Sequence, residues 1–372
     1  MKLRDVLHAV RTLAPESLAE PWDKVGLHVG DAAQGVTRGL LCIDLTEAVV
    51  AEAGRLGCEL VIAYHPPIFD PVAGLTTATW KQRVLREVVR QGMAVYSPHT
   101  ALDAAVDGIN DWLLRGLGAG EDVAPIRAHA TPDAAVVKII TFVPAAALDR
   151  VRDALAGAGA GRIGRYGKCS FTMPGEGTFE GDADTNPAVG KAGRFERVAE
   201  VRLEMVCHRS LLADALVALR RAHPYEEPAV DVMPLIATGQ VPSLTGAGRA
   251  GSLGRAVALR TLVRRLKGLL GVKDVEVAAP PGARRVRRVA VCVGAGGSLL
   301  READDADVLV TGEMRHHDVL DARERGQAVV LAGHTQTERP YLPVYRKRLE
   351  ALRLPGVRWQ VSRSDRPPTG LM

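Results

Sequence analysis

The chain has 372 residues, 47% hydrophobic and 24% charged, which is material for two or three folded domains and excludes a disordered or fibrous class. Its net charge of +5 is too modest to argue for a nucleic-acid partner, and aromatics at 4% are too scarce for base stacking along a single strand. Five cysteines without a CxxC pair (Cys42, Cys58, Cys169, Cys207 and Cys292) fit free thiols in a reducing cytosol rather than a disulfide framework or zinc knuckle.

The first residues, Met1 to Val6, alternate charged and apolar side chains and lack a signal-peptide core. No apolar run approaches the roughly 20 residues that span a bilayer, so a cytoplasmic protein without a membrane partner is expected. Leu3 to Leu13 has helical spacing and ends before Pro15. Gly39 to Asp44 reads as a buried strand, Thr46 to Leu56 as a helix capped by Thr46 and closed by Gly57. Leu60-Val61-Ile62-Ala63 is then a continuous apolar strand ending at Tyr64-His65-Pro66-Pro67, which makes a strand–helix–strand unit with a parallel crossover. Trp80 to Gln91 predicts an amphipathic helix, Ala94 to Ser97 a short strand delivering His99 and Asp103, and Gly108 to Leu117 a further helix.

Composition changes near residue 118. A strand at Ala134 to Val143, a helix at Ala145 to Ala156, a polar Gly-rich stretch at 157–193, an alternating strand at Val198 to Cys207, a helix at Leu211 to Ala222 and a strand at Ala229 to Leu235 suggest an inserted ferredoxin-like (PII/CutA-like) α+β domain. The Gly-rich region from Thr238 to Arg255 reads as the return linker. The expected boundaries are 1–128 and 239–372 for two halves of an α/β domain and 129–238 for the insert. The second half echoes the first: Arg287-Arg288, a strand around Cys292, a helix from Ser298, then Val308 to Thr311 ending in Gly312-Glu313-Met314-Arg315-His316-His317-Asp318. The run Arg284 to Arg288 leads into an apolar strand and reads as a solvated approach to it, not a nucleic-acid patch. Val329 to Ala332 leads to His334 and Glu338, and a helix follows from about Glu338 to Leu352.

Imidazoles and carboxylates therefore follow apolar strands in four places: His65; His99 with Asp103; His316, His317 and Asp318; and His334 with Glu338. Imidazole with carboxylate and no thiolate suits zinc, manganese, iron or nickel. One such histidine is ordinarily structural, and His316-His317 could simply begin a helix, but four coincident clusters point to a metal site. Gly294 to Ser298 follows a strand and could offer amides to a phosphate, yet it lacks the Walker lysine and the dinucleotide fingerprint.

The stretches Pro21 to Leu27, Ala63 to Phe69, Ser97 to Asp103, Thr311 to Asp318 and Gly333 to Arg339 closely resemble the Nif-three-like family, the GTP cyclohydrolase 1 type 2 homologues. Gly175 to Phe179, Gly190 to Gly193 and His223 to Pro228 resemble the insert of its longer members. The resemblance implies a two-lobed, duplicated α/β fold, two divalent ions held by His65, Asp103, His334 and Glu338, and a ring-shaped hexamer. Many bacterial members carry two adjacent histidines where this chain has Tyr64-His65; Tyr64 then ligates, or water takes its place, or the second ion binds weakly. His99, His317 and Glu313 become candidates for orientation or proton transfer. The expected activity is metal-dependent hydrolysis of a small nucleotide-like or phosphorylated substrate. The alternative is a metal-dependent binding, scaffold or sensor protein without turnover.

Overall fold

Short apolar runs, each too brief for a helix, are separated in this chain by amphipathic segments with capping residues at their ends. The computed structural model describes residues 1–129, 136–164, 166–235, 243–282 and 285–369. They fall into two compact units, residues 1–129 with 242–372, and residues 130–241. The expected domain end at 238, the strand start at Ala134, and Arg284 lie outside the described residues.

In the first unit the helix Leu3–Leu13 ends before Pro15, and the helix Glu47–Leu56 is capped by Thr46, which accepts from the Val49 amide, and stopped by Gly57 at φ +64°. The strands Arg38–Cys42, Leu60–Ala63 and Ala94–Ser97 lie parallel and adjacent. Gly26–Val29 pairs antiparallel with Ala94–Ser97 at one edge, and Arg358–Val361, from the far end of the chain, pairs parallel with Arg38–Cys42 at the other. Leu60–Ala63 lacks alternation because both its faces are covered: Leu60 and Ile62 pack with Leu3 and Val6, Val61 and Ala63 with Val49 and Val84.

A six-stranded sheet repeats the parallel trio with Arg285–Cys292, Val308–Thr311 and Ala328–Leu331. Antiparallel strands flank it, Glu276–Ala278 on one side, Arg249–Ala258 and then Ala119–Ala124 on the other. One core joins the two sheets, running from Leu60, Ile62 and Tyr96 through the helices Ile109–Gly116 and Leu259–Leu270 to Val289, Val291 and Val308. The turns after the carboxyl ends of the two trios carry Asp44, His65 and His99 from one sheet and Gly294, Glu313 and His334 from the other, the place where open α/β sheets hold their ligands.

The second unit is an antiparallel sheet in the order Val230–Pro234, Val136–Val143, Phe195–His208, Phe171–Glu180. Val137, Ile139 and Val143, with Leu203, Met205 and Cys207, face the helices Leu148–Gly157 and Leu212–Ala222; by the two-residue period of a strand, their neighbours face the other way.

Three sequence-based expectations change. The 157–193 stretch, read as turns, contains the strand Phe171–Glu180, which tolerates Pro174, Gly175 and Gly177 because it is an exposed edge. The region read as a return linker contains the start of the interior strand Arg249–Ala258, where Gly251 lets Leu114 and the Glu121 carbonyl come within 3.1 and 3.2 Å of where a Cβ would stand. The helix expected from Glu338 is broken into His334–Glu338, a 3-10 turn Arg339–Tyr341 and Leu342–Ala351, since Pro340 and Pro343 lack the amides a continuous helix needs. Among the described residues no helix is long and apolar enough to cross a membrane, and all five cysteines are free.

Candidate metal centre

His65 follows Leu60–Ala63 directly, and its amide still donates to the Ile43 carbonyl at 3.0 Å, so the strand ladder fixes its backbone. His334 opens the short helix His334–Glu338, and the four-residue spacing puts Glu338 one turn on. The His65 and His334 rings, one from each sheet, stand 5.4 Å apart. Between them lies the buried Glu338 carboxylate, with Oε2 at 3.5 Å from His65 Nε2 and Oε1 at 3.4 Å from His334 Nε2. Each ring is held from behind: His65 Nδ1 lies 2.9 Å from Asp44 Oδ1, and His334 Nδ1 3.0 Å from Glu313 Oε1. With Nδ1–H donating to those carboxylates, both Nε2 lone pairs face Glu338, the carboxylate–histidine arrangement that orients metal ligands.

These three residues are the described group whose donor atoms all lie within 4.8 Å of one another. Glu338 Oε2 is shielded from solvent and has no hydrogen-bond partner among the described residues, which is costly for a carboxylate unless a cation joins it. Burial alone would lower the His65 pKa, but the Asp44 and Glu338 carboxylates beside it push it up to about 10, so they favour positive charge at this point, which a proton or a cation can supply. Gly294 packs directly against the same atoms: a Cβ there would stand 2.7 Å from Glu338 Oε1 and 3.2 Å from His334 Nε2. Oxygen and imidazole donors, an orphan carboxylate oxygen and a cradle kept open by glycine all fit a divalent cation.

A second wall adjoins this group. The buried Tyr64 donates its hydroxyl to Asp103 Oδ1, and its ring lies 5.2 Å from that of His65 and 5.5 Å from that of His99. Burial pushes the Asp103 carboxyl up to about 6 against the pull of His99 and Tyr64, and pushes the Tyr64 phenol well above its ordinary range. His99 sits at φ +25°, a rare conformation for a side-chain-bearing residue. Asp23 over-determines it, accepting from His99 Nδ1 at 2.8 Å and from the Thr100 amide at 3.1 Å and hydroxyl at 2.5 Å. Trp22, 55% exposed, meets His99 edge-on at 6.2 Å and the half-exposed Phe69 at the same distance.

The sequence-derived residues thus separate. His65, His334 and Glu338 converge; Tyr64, Asp103 and His99 line the adjoining wall; Glu313 touches the site through His334. His317 is exposed on the first turn of the helix His316–Glu324 with its ring against His316, and it takes no part in the hydrogen-bonded cluster among the described residues. The amides of Gly294 and Gly296 donate to the Thr337 and Thr311 hydroxyls, so the loop read as a possible phosphate cradle is committed internally. From sequence, Asp44 and Asp23 have no role and Gly294 only a place in a possible phosphate loop, although Asp44 follows an apolar strand just as His65 does.

The description Duf34/NIF3 (NGG1p interacting factor 3) belongs to the family model that matches residues 1–368. The GTP cyclohydrolase 1 type 2 homolog of Halalkalibacterium halodurans is 35% identical over 333 residues, covering 88% of this chain and 87% of its own. NIF3-like protein 1 of Bos taurus is 32% identical over 377 residues, 99% of this chain and 92% of its own. Among solved structures, the Bacillus cereus protein related to NIF3 superposes with a TM-score of 0.82 at 32% identity, covering 100% of this chain and 99% of that one.

Proposed function

We propose, from the premise that this chain belongs to the Duf34/NIF3 family, that it is a metal-dependent hydrolase of a small nucleotide-like or phosphorylated substrate. The observation that carries the reading is the orphan oxygen of Glu338, set between two imidazoles that are each backed by a carboxylate. His65, His334 and Glu338 would hold the cation, with Asp44 and Glu313 fixing the ring tautomers. A divalent ion bound there lowers the pKa of a water toward neutrality and polarises a carbonyl or phosphoryl group. His99, locked by Asp23, presents its free edge beside His65 and is the chain's own group for moving a proton. The exposed Trp22 and Phe69 next to it offer π-faces to a heterocycle, which supports a nucleotide-like substrate.

The finer architecture belongs to the same proposal. The two parallel trios support a duplicated α/β fold, and the second unit's strand order, fourth-first-third-second in its own numbering with helices after the first and third, supports a ferredoxin-like insert. The ring-shaped hexamer is checked by light scattering.

One observation favours a second reading, a binding or sensor protein without turnover. The helix-free face of the second unit's sheet holds a cleft of about 930 Å3, lined by Phe142, Phe179 and Tyr225 with Glu180, Glu200 and Glu227, within the size range of small-ligand sites. Metal-loaded protein incubated with nucleotides, phosphoesters and cyclic amidines separates the two. Product release that disappears in His65→Ala and Glu338→Ala supports hydrolysis. Survival of every substrate, while one of them still raises the melting temperature, leaves the binding reading standing.

A further inference from the structure

Resting on that metal reading, we propose that the two cation positions implied by the family resemblance are unequal in this chain. One ion is held tightly by His65, His334 and Glu338, and a second is held weakly, because Asp103 shares its carboxylate with the Tyr64 hydroxyl.

The donor sets differ in kind. The three tight donors have their spare valences aimed at one another and their outer atoms already satisfied by Asp44 and Glu313. Asp103, the fourth ligand of the expected set, is outside that group of mutually close donors. One of its two oxygens accepts from the Tyr64 hydroxyl, so only the other is left to ligate, and the charge-assisted bond draws off part of the negative charge that a cation would use.

Tyr64 is not free to yield. It is 3% exposed, its amide donates to the Cys42 carbonyl at 2.9 Å, and its carbonyl accepts from the Ser97 hydroxyl at 2.7 Å. Its ring is edge-on to His99 and tilted against His65, so the phenol is flanked on two sides. The chain around Asp103 is fixed as well, since Asn110 Nδ2 donates to its carbonyl at 3.2 Å. A histidine at position 64 would offer a nitrogen lone pair where the phenol now offers its hydrogen to a carboxylate.

The test is zinc stoichiometry, read without any activity. Chelator-stripped full-length protein is titrated with zinc by calorimetry, and the ratio retained after gel filtration is measured by elemental analysis. Wild type should retain one ion per chain and Tyr64→His two. Tyr64→Phe, which deletes only the hydroxyl, should keep the first affinity and tighten the second by about tenfold or more, the scale of a hydrogen bond to a charged group. Circular dichroism checks each variant's fold; if Tyr64→His does not fold, Tyr64→Phe decides alone. Two ions retained by wild type, or an unchanged second affinity in Tyr64→Phe, overturns the inference and leaves the metal reading intact. If wild type binds no zinc better than His334→Ala does, the metal reading itself has failed.

Discussion

Replacing one hydrogen of Gly294 by a methyl group would put carbon 2.7 Å from Glu338 Oε1, nearer than packed atoms approach, and at a backbone φ of +63° that costs a side-chain-bearing residue about 1–2 kcal/mol. Gly294→Ala should therefore lose tight zinc binding while still melting cooperatively, a few degrees below wild type; full zinc retention would show that the cradle tolerates the methyl group. Asp23 gives a pH prediction. Burial alone would raise its carboxyl, but the hydrogen bonds from His99 and Thr100 outweigh it and hold it at about 2 against an ordinary 3.8. A depressed carboxylate stabilises the fold fully above the unfolded value and stops doing so as pH falls through the folded one. The contribution, roughly 1–2 kcal/mol after solvent screening, should be present at pH 5 and gone near pH 2. Urea midpoints of wild type and Asp23→Asn should converge over that window; a gap that ignores pH would refute the assignment.

Among the elements, Arg249 does what no motif announces. Its guanidinium is 1% exposed, yet it donates to Asp111 Oδ1 at 2.7 Å and to the carbonyls of Gly246, Gly248, Ala104 and Ala105. It thereby ties the end of the helix carrying His99 and Asp103 to the strand Arg249–Ala258. Arg249→Met would strand Asp111 and five carbonyls, that of Leu244 being the fifth, and should destabilise the first unit by about 3–5 kcal/mol in chemical denaturation. A loss under about 1 kcal/mol would mean that water replaces the guanidinium. The contrast with His65 shows what was legible. A histidine at the tip of a wholly apolar run is conspicuous, because the strand's burial is written in its own residues. Arg249 lies in a Gly-rich stretch whose local preference is for turns, and its strand exists only because Ala119–Ala124 and Arg285–Cys292 pair on both sides. Phe171–Glu180 was missed for the related reason that an exposed edge strand needs little hydrophobic pattern. Glu313 was visible as a carboxylate beside the site, but only the fold shows that it addresses His334 rather than open solvent.

At the scale of the whole molecule, the first unit is built from both ends of the chain. Trp359 in the last strand covers Gly39 so closely that a Cβ there would stand 2.2 Å from its ring. Beyond it, Glu52 accepts from the amides of Arg363 and Ser364, and Asp365 accepts from the Ile43 amide while pairing with Arg339. A fragment of residues 1–129 should consequently show helical far-ultraviolet dichroism without a cooperative melt, because its Arg38–Cys42 edge and the face of Leu41 and Ile43 have lost their cover. A sharp thermal transition in that fragment would show that the first sheet stands alone.

Pairing between Arg38–Cys42 and Arg358–Val361 also sets a clock. At about 5–20 residues per second, roughly 15–60 s of synthesis separate the two strands, and a nascent chain carries an open apolar edge throughout that interval. His65 waits somewhat less long for His334 and Glu338, so premature termination yields a product that has the first half of the proposed cation site and none of the second. On the proposed metal reading, a chain could complete its ion site only after synthesis has passed Glu338.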